Sequence, residues 1–316
     1  MDAIKHKLKE IEDRIDHLKI SQFKGELLNN LRVNYRLDSI EADNYQTLGN
    51  SRLGGFPDLP MSYDYPVNNN GYYNLILQLN FSELKNPISE LPENGILYLF
   101  QGAMNSDDFK IIYINETNNL EKKLPQKHLT NLNKENRPTN YDALKASFRL
   151  EHYFEGETIW NIYNYNPSIY TELTRTNSTY DTQIITEPFG GLDAIKNAYL
   201  AIKGYDTLLY NVVGLYPRLT ETEYESQKQH LLNDCDDKMS YNKSYFFRKK
   251  EQILDLDKNR AEHLANFQKT KCIISIESLA ELSWQWGDGG EINIYMIPND
   301  ITKRQFQNCY IDISSP

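Results

Sequence analysis

The sequence predicts an α+β protein with a mainly antiparallel sheet, peripheral helices and an internal pseudo-duplication. Three observations predict it. Short apolar runs at 75–79, 95–101 and 111–114 follow one another through short connections, which favours antiparallel pairing over βαβ crossovers. Two further strand-like runs, 272–277 and 291–297, come near the end of the chain. The features of the first half also recur in the same order in the second.

The elements follow in chain order. Ile4, Leu8, Ile11, Ile15 and Leu18 alternate spacings of four and three, one face of a helix, with Lys5, Lys9, Glu12, Asp13 and Asp16 opposite. So short a helix needs tertiary support and is expected to pack on its own domain. Gly25 marks a break, and Leu27, Leu28 and Leu31 continue the apolar pattern, giving an N-terminal helical segment over 1–31. Residues 51–60, Ser-Arg-Leu-Gly-Gly-Phe-Pro-Asp-Leu-Pro, hold two glycines and two prolines, so they form an ordered loop rather than helix or central strand. Phe56 and Leu59 are its expected anchors in the core. The loop lacks the Gly-Lys-Ser/Thr ending of a phosphate-binding loop.

The middle, about 116–190, is polar and interrupted by Pro125, Pro138, Pro167 and Pro188, with a strand expected at 148–154. Residues 193–201 read as a helix stopped by Gly204. An apolar run at 211–219 ends in a Gly/Pro loop. Thr220 with Glu223 then fits a capping box opening a charged helical insertion over 220–268, broken near 233–242. Leu254, His263 and Leu264 are expected to face a core, and Arg248, Lys249 and Lys250 to form a solvated helix face. Trp284-Gln285-Trp286-Gly287-Asp288-Gly289-Gly290 joins the last two strands as a turn: its tryptophans share a face, its glycines allow positive φ, and Asp288 fixes the return.

The whole of 1–316 reads as a single domain. Phe56-Pro57-Asp58-Leu59 is echoed by Tyr216-Pro217-Arg218-Leu219, 75–79 by 272–276, and 95–99 by 290–295. That common order points to a duplicated α+β unit whose copies pack on each other.

Lys plus Arg is 34 against 44 for Asp plus Glu, a net charge of -10, which argues against duplex nucleic acid and anionic lipid as partners. No run approaches a membrane span, and Met1 leads straight into charged residues with no apolar leader, so a cytoplasmic location is expected. Three widely spaced cysteines, Cys235, Cys272 and Cys309, do not make a disulfide framework.

The wording of several motifs resembles a known family. The string at 51–60, Tyr65-Pro66, Leu77-Gln78-Leu79-Asn80 with Glu83-Leu84, Leu91-Pro92, Gly95-Ile96-Leu97, and Trp286-Gly287-Asp288-Gly289-Gly290 with Phe306 after it resemble the YwqG-like bacterial family, whose function is unassigned. The resemblance spans about 30–312. It implies an α+β fold with a large antiparallel component and brings no agreed catalytic set; its members' genomic settings suggest toxin-immunity or contact-dependent roles. The family's His before a mid-chain Gly-x-Pro is absent here, where Tyr210-Asn211-Val212-Val213-Gly214 stands.

The chain carries no recognisable catalytic motif. Its six histidines are scattered, and Asp255-Leu256-Asp257-Lys258-Asn259 fails as a calcium loop because Arg260 replaces the required glycine. Asp234, Asp236 and Asp237 read as a helix break or cap. Cys272 reads as core, and Cys235, among acids, as a blunted thiol. Neither metal nor cofactor is expected. The 23 tyrosines include groups at Tyr63, Tyr65, Tyr72 and Tyr73 and at Tyr163, Tyr165 and Tyr170, suited to recognition surfaces, although base composition of the genome also raises tyrosine.

The leading expectation is a binding or interaction protein, of immunity or regulatory type, holding a protein partner; acidic charge suits a basic one. The alternative is a small-molecule site or enzyme in a groove between the 51–60 and 284–290 loops. The candidate binding residues are Arg52, Asp58, Gln78, Glu277, Trp286 and Asp288.

Overall fold

A computed structural model describes residues 2–68, 71–85, 88–89, 91–102, 107–126, 142–154, 158–175, 179–186, 191–205, 209, 220–267 and 269–314. The strands in chain order are β1 (Leu31–Ala42), β2 (Arg52–Leu53), β3 (Asp58–Pro60), β4 (Val67–Asn68), β5 (Gly71–Tyr72), β6 (Asn74–Asn80), β7 (Ile96–Gln101), β8 (Phe109–Ile114), β9 (Leu120–Lys122), β10 (Leu144–Phe154), β11 (Gln183–Thr186), β12 (Lys271–Glu277), β13 (Glu291–Met296) and β14 (Tyr310–Ser314). The helices are α1 (Asp2–His17), α2 (Lys24–Asn30), α3 (Thr158–Tyr165), α4 (Pro167–Thr174), α5 (Gly191–Ile202), α6 (Glu221–Lys238), α7 (Lys243–Lys258), α8 (Arg260–Phe267) and α9 (Pro298–Thr302). Among the described residues ten strands make one sheet in the order β14-β13-β12-β11-β1-β10-β2-β6-β7-β8. Every neighbouring pair is antiparallel, and the sheet curls until it is nearly closed into a barrel. The α+β class and the antiparallel sheet are therefore as the sequence predicts.

The strand order is symmetric about the β1–β10 pair. One unit runs β1, β2, β6, β7, β8; the other runs β10, β11, β12, β13, β14. Each unit lends its long first strand to the other: β1 pairs with β11, and β10 with β2. The echoed runs 75–79 and 272–276 occupy equivalent places as β6 and β12, and 95–99 and 290–295 do so around β7 and β13. A register shift falls at the matching point of both pairs, between Leu75 and Leu77 and between Cys272 and Ile274. The third echo, at Tyr216–Leu219, lies outside the described residues.

Burial explains why the central runs are largely apolar. Leu97 and Leu99 of β7 point into the barrel core with Leu77, Leu79, Ile292 and Ile294. Ile96, Tyr98 and Phe100 point outward but are covered by Leu59 and Leu120 of the small β3–β9 sheet. Covering both faces removes the polar alternation that a half-exposed strand would need. On the other unit, α5 covers β12 and β13 through Ala198, Cys272 and Tyr295. The charged helices α6 and α7 pack behind α5 around Leu200, Cys235, Ile253 and Leu256. At one end of β1 and β10, α1 to α4 enclose Ile11, Ile15, Leu27, Leu31, Phe154, Ile162 and Leu173.

Several expectations are corrected. Leu31 begins β1 rather than ending a helix, and the polar middle holds α3 and α4 besides the expected strand. Asn166 caps α4 and Pro167 opens it, which gives the proline a helical place. Phe56 is half-buried, whereas Leu59 is fully buried. Leu254 faces outward, while His263 is buried; the side chain of Leu264 lies outside the described set. Asp234, Asp236 and Asp237 continue α6, and the break follows at 239–242. The Thr220–Glu223 capping box forms as predicted.

Candidate functional site

Arg52, Asp58 and Gln78 meet in one cluster, wholly buried. Residues 49–60 wrap around the Arg52 guanidinium, which donates from Nε to Asp43 (2.6 Å), from Nη1 to the Phe56 carbonyl (2.9 Å), and from Nη2 to Asn50 Oδ1 (3.0 Å) and Asp58 Oδ2 (2.9 Å). Asp58 Oδ2 also accepts from Gly49 N (2.8 Å) and Gln78 Nε2 (3.0 Å), while the Asp58 amide donates to Gln78 Oε1 (2.8 Å). The Arg52 guanidinium lies 4.2 Å from the centre of the Tyr45 ring. Burial pulls the Arg52 pKa down, but hydrogen bonds and charges from Asp58 and Asp43 outweigh it and raise the value. For Asp43 burial acts upward, and bonding by Arg52, Tyr45 N and Asn50 still leaves its carboxyl below the usual range. The motif of the 51–60 loop is thus an internal brace that pins loop to sheet.

Glu277 and Trp286 form a second group. Glu277 Oε1 accepts from the amides of Asp181 (2.7 Å) and Thr182 (3.2 Å), and burial, its largest influence, lifts its carboxyl above the usual range. Trp286 is fully buried; its indole donates to the Glu277 carbonyl (3.1 Å), and its amide to Ser278 Oγ (2.9 Å). Trp284 lies beside it, ring centres 5.4 Å apart. Gly287 and Gly289 take φ of +53° and +85°, and Gly290 N donates to the Trp286 carbonyl (2.7 Å), closing the predicted turn. Asp288 is exposed on that turn. No hydrogen bond joins Arg52, Asp58 or Gln78 to Glu277 or Trp286, although Leu53, Leu77, Trp284 and Trp286 share the barrel core. Of the first tyrosine group, Tyr65, Tyr72 and Tyr73 are buried and only Tyr63 is exposed; of the second, Tyr163 and Tyr165 are exposed.

The two ends of the strand order, β8 and β14, meet at the seam of the nearly closed barrel. Among the described residues β8 pairs only with β7, and β14 only with β13, so each presents an edge with no described strand on its other side. At one end the segment ahead of β14 closes on the end of β8, where Tyr113 packs on Phe306 with ring centres 5.0 Å apart and Arg304 donates to Asn115 (2.7 Å). Along the rest a cavity of about 540 Å³ lies between them. Phe109 and Ile111 line it from β8, and Cys309, Ile311 and Asp312 from β14 and the residue before it. These side chains are half-buried, unlike those of the inner strands β7 and β13. Asp107, Lys110, Gln307 and Tyr310 complete the lining. Burial first, then the charge of Asp107, holds the Asp312 carboxyl above its usual range. No sequence motif flagged this place; its two sides lie some two hundred residues apart.

Cys235, Cys272 and Cys309 are free thiols. Burial is the first cause raising the Cys235 thiol, with Asp234 and Asp236 adding to it, and burial pushes Cys309 up to about 12. Among the described residues no three His, Cys, Asp or Glu side chains gather as metal ligands, and no helix is long and apolar enough to cross a membrane.

The sequence profile of a family described as "Domain of unknown function (DUF1963)" matches residues 51–314. That stretch holds nine of the ten strands of the large sheet and both sides of the seam. No curated protein matches the chain.

Proposed function

We propose, for a chain that belongs to the DUF1963 family, a binding function: the seam between β8 and β14 receives an extended segment of a basic partner protein. The observation that carries this is the pair of unpaired edges facing one another across a half-apolar cavity. A strand added there gains main-chain hydrogen bonds from an edge, and its alternate side chains fall on Phe109, Ile111 and Ile311. Beside them stand Asp107 and Asp312, two carboxylates against the single Lys110, in a chain of net charge -10. A lysine or arginine at that position relieves their mutual repulsion. Holding a partner without chemistry fits an immunity or regulatory role. Within the family we place the chain in the YwqG-like group, on the 51–60 and 286–290 motifs.

An array of seven-residue peptides, followed by fluorescence anisotropy in solution, tests the reading. Peptides alternating apolar and basic residues should bind. Asp107→Asn with Asp312→Asn should weaken them about tenfold, equivalent to about 1.4 kcal/mol. Proline within the peptide should abolish binding by removing ladder donors. Binding indifferent to both changes, or a chain dimerised edge to edge through the seam, contradicts it.

The pH dependence has a definite sign. In the free protein Asp312 holds its proton to a higher pH than an ordinary carboxyl, mainly through burial. A bound cation favours the carboxylate, so binding releases a proton. Affinity should be flat above the raised pKa and fall as pH drops through it. Titration of peptide affinity against pH, repeated with Asp312→Asn, checks that the dependence vanishes in the variant.

A further inference from the structure

A second cavity lies on the helical insertion, away from the seam. It measures about 420 Å³ and is lined by Gly204, Tyr205, Tyr245, Arg248, Lys249 and Gln252. Tyr245, Arg248, Lys249 and Gln252 stand at i, i+3, i+4 and i+7 of α7, one stripe of that helix. Gly204 and Tyr205 follow the end of α5. Gln252 Nε2 donates to the Gly204 carbonyl (3.1 Å), which ties the two walls together.

Arg248 is exposed, and among the described residues it is the one arginine with neither a hydrogen bond nor an ion pair. Three acids of α6 and α7 have other partners, and the Asp234 carboxylate also lies within range of the Lys249 charge. Lys250 holds Asp236 (2.7 Å), Lys238 holds Asp234 (2.8 Å), and Asp255 accepts from the Tyr205 hydroxyl and from Asn259 (2.9 Å). Glu251, three residues on, does not pair with it. Lys249 lies beside it, its ammonium 5.8 Å from the centre of the Tyr245 ring. Two cations therefore line one cavity of an acidic protein, and no described carboxylate is among the lining residues.

We propose that this cavity binds a small organic phosphate, its anionic group on Arg248 and Lys249 and its remainder against Tyr205 and Tyr245. A phosphate monoester carries nearly two negative charges at neutral pH, matching two cations. A guanidinium offers it two parallel donors, and tyrosine rings supply flat apolar contact. The volume falls within the range of about 300–1,000 Å³ usual for small-molecule sites. The site is independent of the seam and stands or falls separately from it.

Isothermal titration calorimetry of the full chain with adenosine 5′-monophosphate, inorganic phosphate and adenosine tests this. The monophosphate should bind at one per chain, more tightly than either fragment, and more weakly as salt rises. Arg248→Gln should weaken it at least tenfold while thermal unfolding stays unchanged, because Arg248 has no internal bond to lose. Failure of the monophosphate to bind at millimolar concentration, or equal binding by wild type and Arg248→Gln, overturns the site. Inorganic phosphate binding as tightly as the monophosphate overturns the ring contact.

Discussion

Arg52→Ala should destabilise the protein by about 3–5 kcal/mol, the cost typical of breaking a buried ion pair from one side. Asp58, fully buried, would lose its guanidinium partner while keeping its bonds to Gly49 N and Gln78. Asp43 would lose its 2.6 Å bond from Nε, and the Phe56 carbonyl its donor. Arg52→Lys keeps the charge but cannot reproduce a planar fork reaching four acceptors, so it should fall between the alanine variant and wild type. Urea unfolding of the three proteins measures this. Equal stability of wild type and Arg52→Ala would show that the cluster does not brace the fold.

Trp286→Ala should lose roughly 3–5 kcal/mol through the cavity left in the barrel core. The indole is fully buried, packs among the apolar side chains of both units, and donates to the Glu277 carbonyl. Trp286→Phe removes that bond and less volume, so its loss should be smaller. Asp288→Ala, on the exposed turn, should have the least effect of the three. Thermal melts rank them, and peptide binding by whatever fraction stays folded should be normal. A Trp286→Ala protein that melts like wild type yet no longer binds would make the turn a recognition element.

The strands read most directly from sequence were those buried on both faces. Residues 75–77 and 96–100 form unbroken apolar and aromatic runs because β3 and β9 cover the face that would otherwise be polar. β1 is hidden in the sequence for the opposite reason. Its Tyr35 and Leu37 alternate with Arg32, Asn34, Arg36 and Asp38, and the pattern follows directly on the helical leucines 27 and 28. Only pairing with β10 and β11 reveals it as the centre of the sheet. The ordered echo was legible because both units keep the same strand order; the exchange of β1 and β10 between them was not, since local pattern does not encode which distant strand is a neighbour.

The candidate site was legible in chemistry and not in place. Arg, Asp and Gln within an otherwise apolar loop and strand do form one bonded cluster, but it is turned inward. Glu277 and Trp286 belong to a second cluster, so the six residues do not converge. The seam has no motif because its character comes from two edges at opposite ends of the strand order. Asp107 and Asp312 become a pair only once the sheet has curled.

Amide hydrogen exchange, read with and without a binding peptide selected from the array, tests the strand-addition account most directly. New main-chain hydrogen bonds should slow exchange of outward-facing amides in β8 or β14, at 109–114 or 310–314, and leave β6 and β12, already paired on both sides, unchanged. Peptide binding that leaves both edges unprotected, with protection appearing elsewhere on the surface, would contradict it.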